Sequence, residues 1–191
     1  EAAREFVRHA PATARICDTS TAHRNTPGWV YGFAELHGQR AAIKDATRVA
    51  NPGCHASGFI ALTRPLCDAG ALRREALLTC QSLTGYSGGG KAMIAEYEAA
   101  ERPAALAAPR LYGLSLQHKH LPEMRVQSTL AQAPLFTPVV APFYSGMLVS
   151  VPLFAAQLAE GFADGKRLAE LLADYYAGEP PVRVQPFAPS A

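Results

Sequence analysis

The sequence predicts an α/β chain whose larger part is an α+β catalytic domain: a mixed or antiparallel sheet with helices packed against it. Three observations predict it. Short β-type runs alternate with helix-type stripes from end to end. Glycine and proline turn signals separate them. The opening residues read helix and then strand, the pattern that ends an α/β domain.

Residues 1–10 have the pattern of a helix carrying Phe6, closed by Pro11. Arg15-Ile16-Cys17 reads as a strand, followed by the polar run Asp18-Thr19-Ser20-Thr21-Ala22-His23-Arg24. From Asn25 to Gly53 the pattern is loop-rich, with Trp29, Tyr31 and Phe33 alternating. Asn51-Pro52-Gly53-Cys54 is a turn signal. Phe59, Ile60, Leu62 and Leu66 then predict a helix to about Ala69, bent by Pro65. Leu77 to Leu83 reads as a strand, Gly85 to Gly90 as a glycine loop, and Lys91 to Glu101 as a helix. A strand is expected over Leu111 to His120, which would set Tyr112, Leu114, Leu116, His118 and His120 on one face. Further strands are expected at Phe136–Val140 and Met147–Val151. Asp164 reads as the N-cap of a helix with Leu168, Leu171, Leu172 and Tyr175 on one stripe and Gly178 beyond its end. In the proline-rich tail from Pro180 to Ala191, Val182-Arg183-Val184 reads as a strand without its continuation.

The chain has 191 residues, 49% of them apolar, and a formal net charge of +2. It has no basic stripe of the kind that binds nucleic acid. It also has no apolar run of the roughly 18 to 20 residues a membrane helix needs, and no signal-peptide pattern at its start. The cysteines Cys17, Cys54, Cys67 and Cys80 fit no zinc module, and a reduced, cytoplasmic setting is expected.

Cys54 is the first candidate for chemistry. It follows Pro52-Gly53 at the start of a helix, where unpaired backbone N–H groups favour a thiolate. The plainer alternative is a small buried apolar residue, and Cys17, Cys67 and Cys80 are read that way. His118 and His120 are expected at the end of a strand, lining a cleft. One would take and return a proton or hold a leaving phosphate; half of a metal site and a purely structural pair are the alternatives. Gly85-Tyr86-Ser87-Gly88-Gly89-Gly90-Lys91 comes close to a nucleotide-binding loop. It fails at Ala92, where Ser or Thr would hold magnesium. Its glycines suit close approach of a nicotinamide or phosphate, or simply a tight turn. Arg24 suits a carboxylate or phosphate.

Several of these segments, in order, resemble the N-acetyl-gamma-glutamyl-phosphate reductases, the short bacterial subtype in particular. They are Asp18–Arg24, Gly28-Trp29-Val30-Tyr31-Gly32-Phe33, Ala50–Cys54, Thr84–Lys91, His118-Lys119-His120-Leu121-Pro122-Glu123 and Pro142–Met147. The resemblance implies a catalytic domain like that of the glyceraldehyde-3-phosphate dehydrogenase group over residues 51–191. Residues 1–50 would be a remnant of an NADP-binding Rossmann domain. It implies attack of Cys54 on an acyl-phosphate substrate, loss of phosphate, and reduction of the thioester by NADPH to a semialdehyde, in arginine biosynthesis. Of the two histidines, His118 is favoured over His120 as acid/base, with Glu123 as its orienting carboxylate. Ser20, Arg24 and Asn51 would contact substrate; Ser87, Gly88 and Gly89 would lie near the nicotinamide and phosphates. No metal is implied, and a homo-oligomer is expected.

His55 stands where the family pattern usually has tyrosine and Thr84 where it has serine; neither is expected to touch the chemistry. No glycine fingerprint follows an opening strand, and the family's closing segment is not found after Pro189. The chain is therefore expected to be the middle of the enzyme and to hold the cofactor weakly. An aspartate-semialdehyde dehydrogenase, a catalytically silent fragment and a thiol- or metal-binding module are the rival readings.

Overall fold

The computed structural model describes residues 1–187. Helix α1 (Ala2–His9) leads to strand β1 (Ile16–Asp18), then β2 (Val30–Tyr31), helix α2 (Gln39–Asp45) and β3 (Arg48–Ala50). The three strands form a parallel sheet in the order β1-β3-β2, with Asp18 and Tyr31 both in register with Ala50. The expected loop between Asn25 and Gly53 thus contains a helix and two strands. All three are short, and most of their residues are only half-buried or exposed, so periodicity has little length in which to show.

Helix α3 (Cys54–Asp68) starts at the predicted turn and runs through Pro65. Its buried face carries His55, Ala56, Phe59, Ile60, Thr63 and Leu66, the three- and four-residue spacing of a packed stripe. Pro65 has no N–H to offer the Ala61 carbonyl. The Tyr176 hydroxyl donates to that carbonyl instead, at 2.8 Å, and so satisfies a half-buried acceptor.

The second sheet is mixed. Strand β4 (Thr79–Gly85) pairs in parallel with β6 (Leu135–Ala141). Strands β5 (Arg110–Leu111) and β7 (Met147–Ser150) flank them antiparallel, giving the order β5-β6-β4-β7. Cys80, Ser82, Phe136 and Val140 lie on its buried side, and Cys80 and Phe136 share a core with Phe59 and Ile60 of α3. The opposite side is open, and Leu111 and Leu148 are 55% and 65% exposed there. After β4 come a 3-10 turn (Tyr86–Gly89) and helix α4 (Gly90–Glu98). Helix α5 (Leu121–Gln127) precedes β6. Helix α6 (Gly165–Tyr175) is capped as expected, the Asp164 carboxylate accepting from the Lys166 N–H at 2.9 Å.

Two expectations are corrected. The strand expected over Leu111–His120 ends at Leu111. Gly113 (φ +64°) and Leu116 (φ +58°) turn the chain out of extended geometry, and Leu114 and Leu116 are exposed. The alternation there is not a sheet face, so His118 and His120 reach the interior from a loop. Val182–Val184 is irregular chain packed on the core, with no strand pairing. The end of the proline-rich tail, including Pro189, lies outside the described residues.

Candidate active site

Cys54 is the first residue of α3 and is exposed. It opens onto a cleft of about 290 Å³ whose wall includes Arg24, His118, His120, Gly88 and Gly89. The turn in front of it is fixed from beneath. Glu123, 1% exposed, accepts the Gly53 N–H at 2.9 Å, the Tyr31 hydroxyl at 2.9 Å and Arg24 Nη1 at 2.7 Å. Arg24 Nε also donates to the Asn51 carbonyl at 2.9 Å. Burial and the Glu123 charge push the Tyr31 phenol well above its ordinary range, so Tyr31 stays a hydrogen-bond donor. The position of Gly53 demands glycine for lack of room: a Cβ there would run into His120 and lie 2.7 Å from Arg24 Nη1.

The two histidines differ. His120 is buried against Gly53, and its Nδ1 has no hydrogen-bond partner. Burial, with the neighbouring His118 and His55, pulls it down to about 3. His118 is half-buried and lowered by burial and then by Lys119. Its Nδ1 accepts the His120 N–H at 3.2 Å, so Nε2 is the ring atom left free. Among the described residues no group of three His, Cys, Asp or Glu stands together as a metal site. Nor is any helix among them long and apolar enough to cross a membrane.

The expected site residues divide. Arg24, Cys54, His118, His120, Gly88 and Gly89 converge on the cleft. Ser20 turns back, its N–H and hydroxyl both donating to Asp18, and the Asn51 side chain is exposed and donates to the Pro52 carbonyl. Ser87, which bonds through its backbone N–H to the Tyr144 carbonyl, stands one residue before the lining glycines. The expectation that Glu123 orients His118 is corrected: its hydrogen bonds go to Arg24, Tyr31 and Gly53. Those three donors take three of the carboxylate's roughly four acceptor sites, and none of them is His118.

His55 and Thr84, expected to stand apart from the chemistry, both line the cleft. His55 is buried, with Nδ1 2.7 Å from Ser82 Oγ and Nε2 2.6 Å from the Tyr112 hydroxyl. Tyr112 lines the cleft too, pushed up to about 12 by burial and by the charge of Cys54. Sequence reasoning placed Tyr112 on a strand face and gave it no role. Its signal was its nearness to the histidine pair. Among the other cysteines, burial pushes Cys67 up to about 11 and Cys80 to about 12.

Residues 54–191 match the family model described as semialdehyde dehydrogenase, dimerisation domain. The chain is 49% identical over 181 residues to the N-acetyl-gamma-glutamyl-phosphate reductase of Brucella ovis, covering 94% of this chain and 58% of that one. It is 47% identical over 195 residues to the reductase of the same name from Rhizobium meliloti, covering 100% and 63%. The chain thus spans about three-fifths of the length of the curated relatives it matches. The crystal structure of aspartate semialdehyde dehydrogenase II from Vibrio cholerae shares the fold, with a TM-score of 0.57 at 16% identity, over 84% of this chain and 53% of that one. With the family model matching most of the chain and the cysteine-headed helix on its mixed sheet, the chain belongs to the semialdehyde dehydrogenase dimerisation-domain family.

Proposed function

We propose that this chain carries the cysteine-bearing catalytic part of an N-acetyl-gamma-glutamyl-phosphate reductase, a cytoplasmic NADP-dependent oxidoreductase of arginine biosynthesis. The observation that carries the reading is the exposed Cys54, heading a helix in a cleft with an imidazole and a phenol. Cys54 Sγ attacks the acyl carbon, the bond from that carbon to the phosphate oxygen breaks, and phosphate leaves with the electron pair. The proton from sulfur ends on the phosphate. His118 carries it: with the ring held neutral by burial and its own proton on Nδ1, in place of the contact from the His120 N–H, the Nε2 lone pair takes the thiol proton and passes it to the phosphate. Arg24 and Lys119 are the cations among the described residues of the cleft wall, and Arg24 faces the anionic end of the substrate.

NADPH, when bound, supplies the hydride that reduces the thioester and frees the semialdehyde and the thiolate. The residues present fit its reacting end: Gly88 and Gly89 line the cleft without side chains, with Ser87 beside them. Residues 1–50 belong to its binding domain, a reading supported by the parallel β1-β3-β2 sheet. The reductase works as a homo-oligomer, as the dimerisation-domain match and the open face of the mixed sheet support.

The test is single-turnover phosphate release without reductant. N-acetyl-gamma-glutamyl phosphate should release one phosphate per Cys54, and aspartyl phosphate much less. Release from Cys54→Ser at the same rate would overturn the thioester; preference for aspartyl phosphate would move the substrate to the other semialdehyde dehydrogenases.

A further inference from the structure

We propose that His55 is a positioning residue: through the Tyr112 hydroxyl it fixes the loop that carries His118 relative to Cys54. The inference rests on the acyl-transfer reading above and names the part that sets its geometry.

The loop from Tyr112 to His120 has little to hold it. Two residues of β5 precede it, and Gly113 and Leu116 turn it through positive φ. The Tyr112 N–H donates to the Pro138 carbonyl at 3.1 Å, which ties the loop's backbone to β6 at its start. Its side-chain tie is the Tyr112 hydroxyl on His55 Nε2. His55 is itself pinned at Nδ1 by Ser82 of β4 and follows Cys54 in the first turn of α3. One imidazole therefore joins helix, sheet and loop. A neutral ring has one N–H and one lone pair, and either hydroxyl can donate or accept, so both tautomers satisfy both contacts.

The ring also forms part of the floor under the histidine pair. Its centroid lies 5.8 Å from that of His118, edge-on, 5.6 Å from that of His120 and 5.3 Å from that of Phe136. A shift of His55 moves the surface on which His118 rests. Displacements of about 1 Å in such an arrangement cost on the order of 100-fold in rate.

The test uses this chain with His55→Gln, His55→Asn, Tyr112→Phe and the Asn/Phe double variant. A glutamine amide reaches about as far as Nε2 and an asparagine amide about as far as Nδ1. Gln therefore keeps Tyr112 and gives up Ser82, and Asn does the reverse. Acylation of Cys54 by acetyl phosphate is read as mass gain with phosphate release. Modification of His118 by diethyl pyrocarbonate is read by peptide mapping. Thermal melts fix the folded fraction.

His55→Asn and Tyr112→Phe should each slow acylation by about 10- to 100-fold, the effect of leaving a buried donor or acceptor unpaired. Both should hasten modification of His118. His55→Gln should stay within a few fold of the parent on both measures, and the double variant should be no slower than either single one. Equal losses in Gln and Asn, or additive losses in the double variant, would overturn the proposal. If the parent's Cys54 takes up no acetyl group, the acyl-transfer reading fails by itself. His118 modification then still decides whether His55 anchors the loop: no change in His55→Asn refutes it.

Discussion

The two sides of the cleft are built from different materials. The Cys54 side rests on a buried ion pair: Glu123 holds Arg24, Tyr31 and the Gly53 N–H at once. The His118 side rests on neutral groups, Ser82, His55 and Tyr112, beneath a loop with two positive-φ turns. A charged network fixes geometry through strong bonds but costs much to break. A neutral one leaves the adjoining imidazole free to change its proton. The nucleophile needs a fixed position and the acid/base a mobile proton, and each side is made accordingly.

The largest expected effect is on the charged side. Cys54→Ser should abolish thioester formation while the fold persists. In the parent, iodoacetamide should label Cys54 ahead of Cys17, with Cys67 and Cys80 last because burial raises both thiols. Labelling of Cys17 first would remove the special standing of the helix terminus.

On the neutral side, His118→Ala should slow acyl transfer by about 10²- to 10⁴-fold, the usual worth of acid–base help. His120→Ala should act mainly on stability, since that ring is buried against Gly53. Acylation rates and urea midpoints of both variants separate the roles. Equal rate losses would mean that the two histidines work together.

Glu123→Gln measures the ionic support. It leaves Arg24 buried without its carboxylate and should cost about 3 kcal/mol of stability. Chemical denaturation reads it directly. A loss below about 1 kcal/mol would place the pair among ordinary surface bridges.

The remaining effect is on pH dependence. Burial holds His55 down to about 4 and His120 to about 3, against an ordinary 6.5. Below about pH 6.5 the unfolded chain takes up protons that the folded chain does not. Stability from this source is therefore complete above pH 6.5. It falls as pH drops towards 4, by about 1.4 kcal/mol per unit for each ring. Urea midpoints at pH 7 and pH 5 should show it, and His120→Leu should flatten the slope.

What could be read from the sequence was what is local. Asn51-Pro52-Gly53-Cys54 announces its turn and helix in consecutive residues, and Asp164 announces its cap two residues ahead of the N–H it accepts. The support of the site was not local. Glu123 meets Arg24 across 99 residues and Tyr31 across 92, and only the fold brings them together. Leu111–His120 misled because apolar residues at even positions there serve no common face once Gly113 turns the chain. His55 was passed over because a departure from a family pattern reads as neutral until its two partners, Ser82 and Tyr112, are seen.

Pro65 has a consequence for how the molecule is made. The carbonyl it leaves free on Ala61 is answered by a hydroxyl 115 residues further along the chain. The helix that begins at the nucleophile thus has one of its carbonyls satisfied from outside, by the segment that follows α6. A contact of such long sequence separation carries a loop-closure cost that the local contacts of the helix do not. Until that segment docks, one carbonyl of the helix headed by the reactive thiol has only water for a partner.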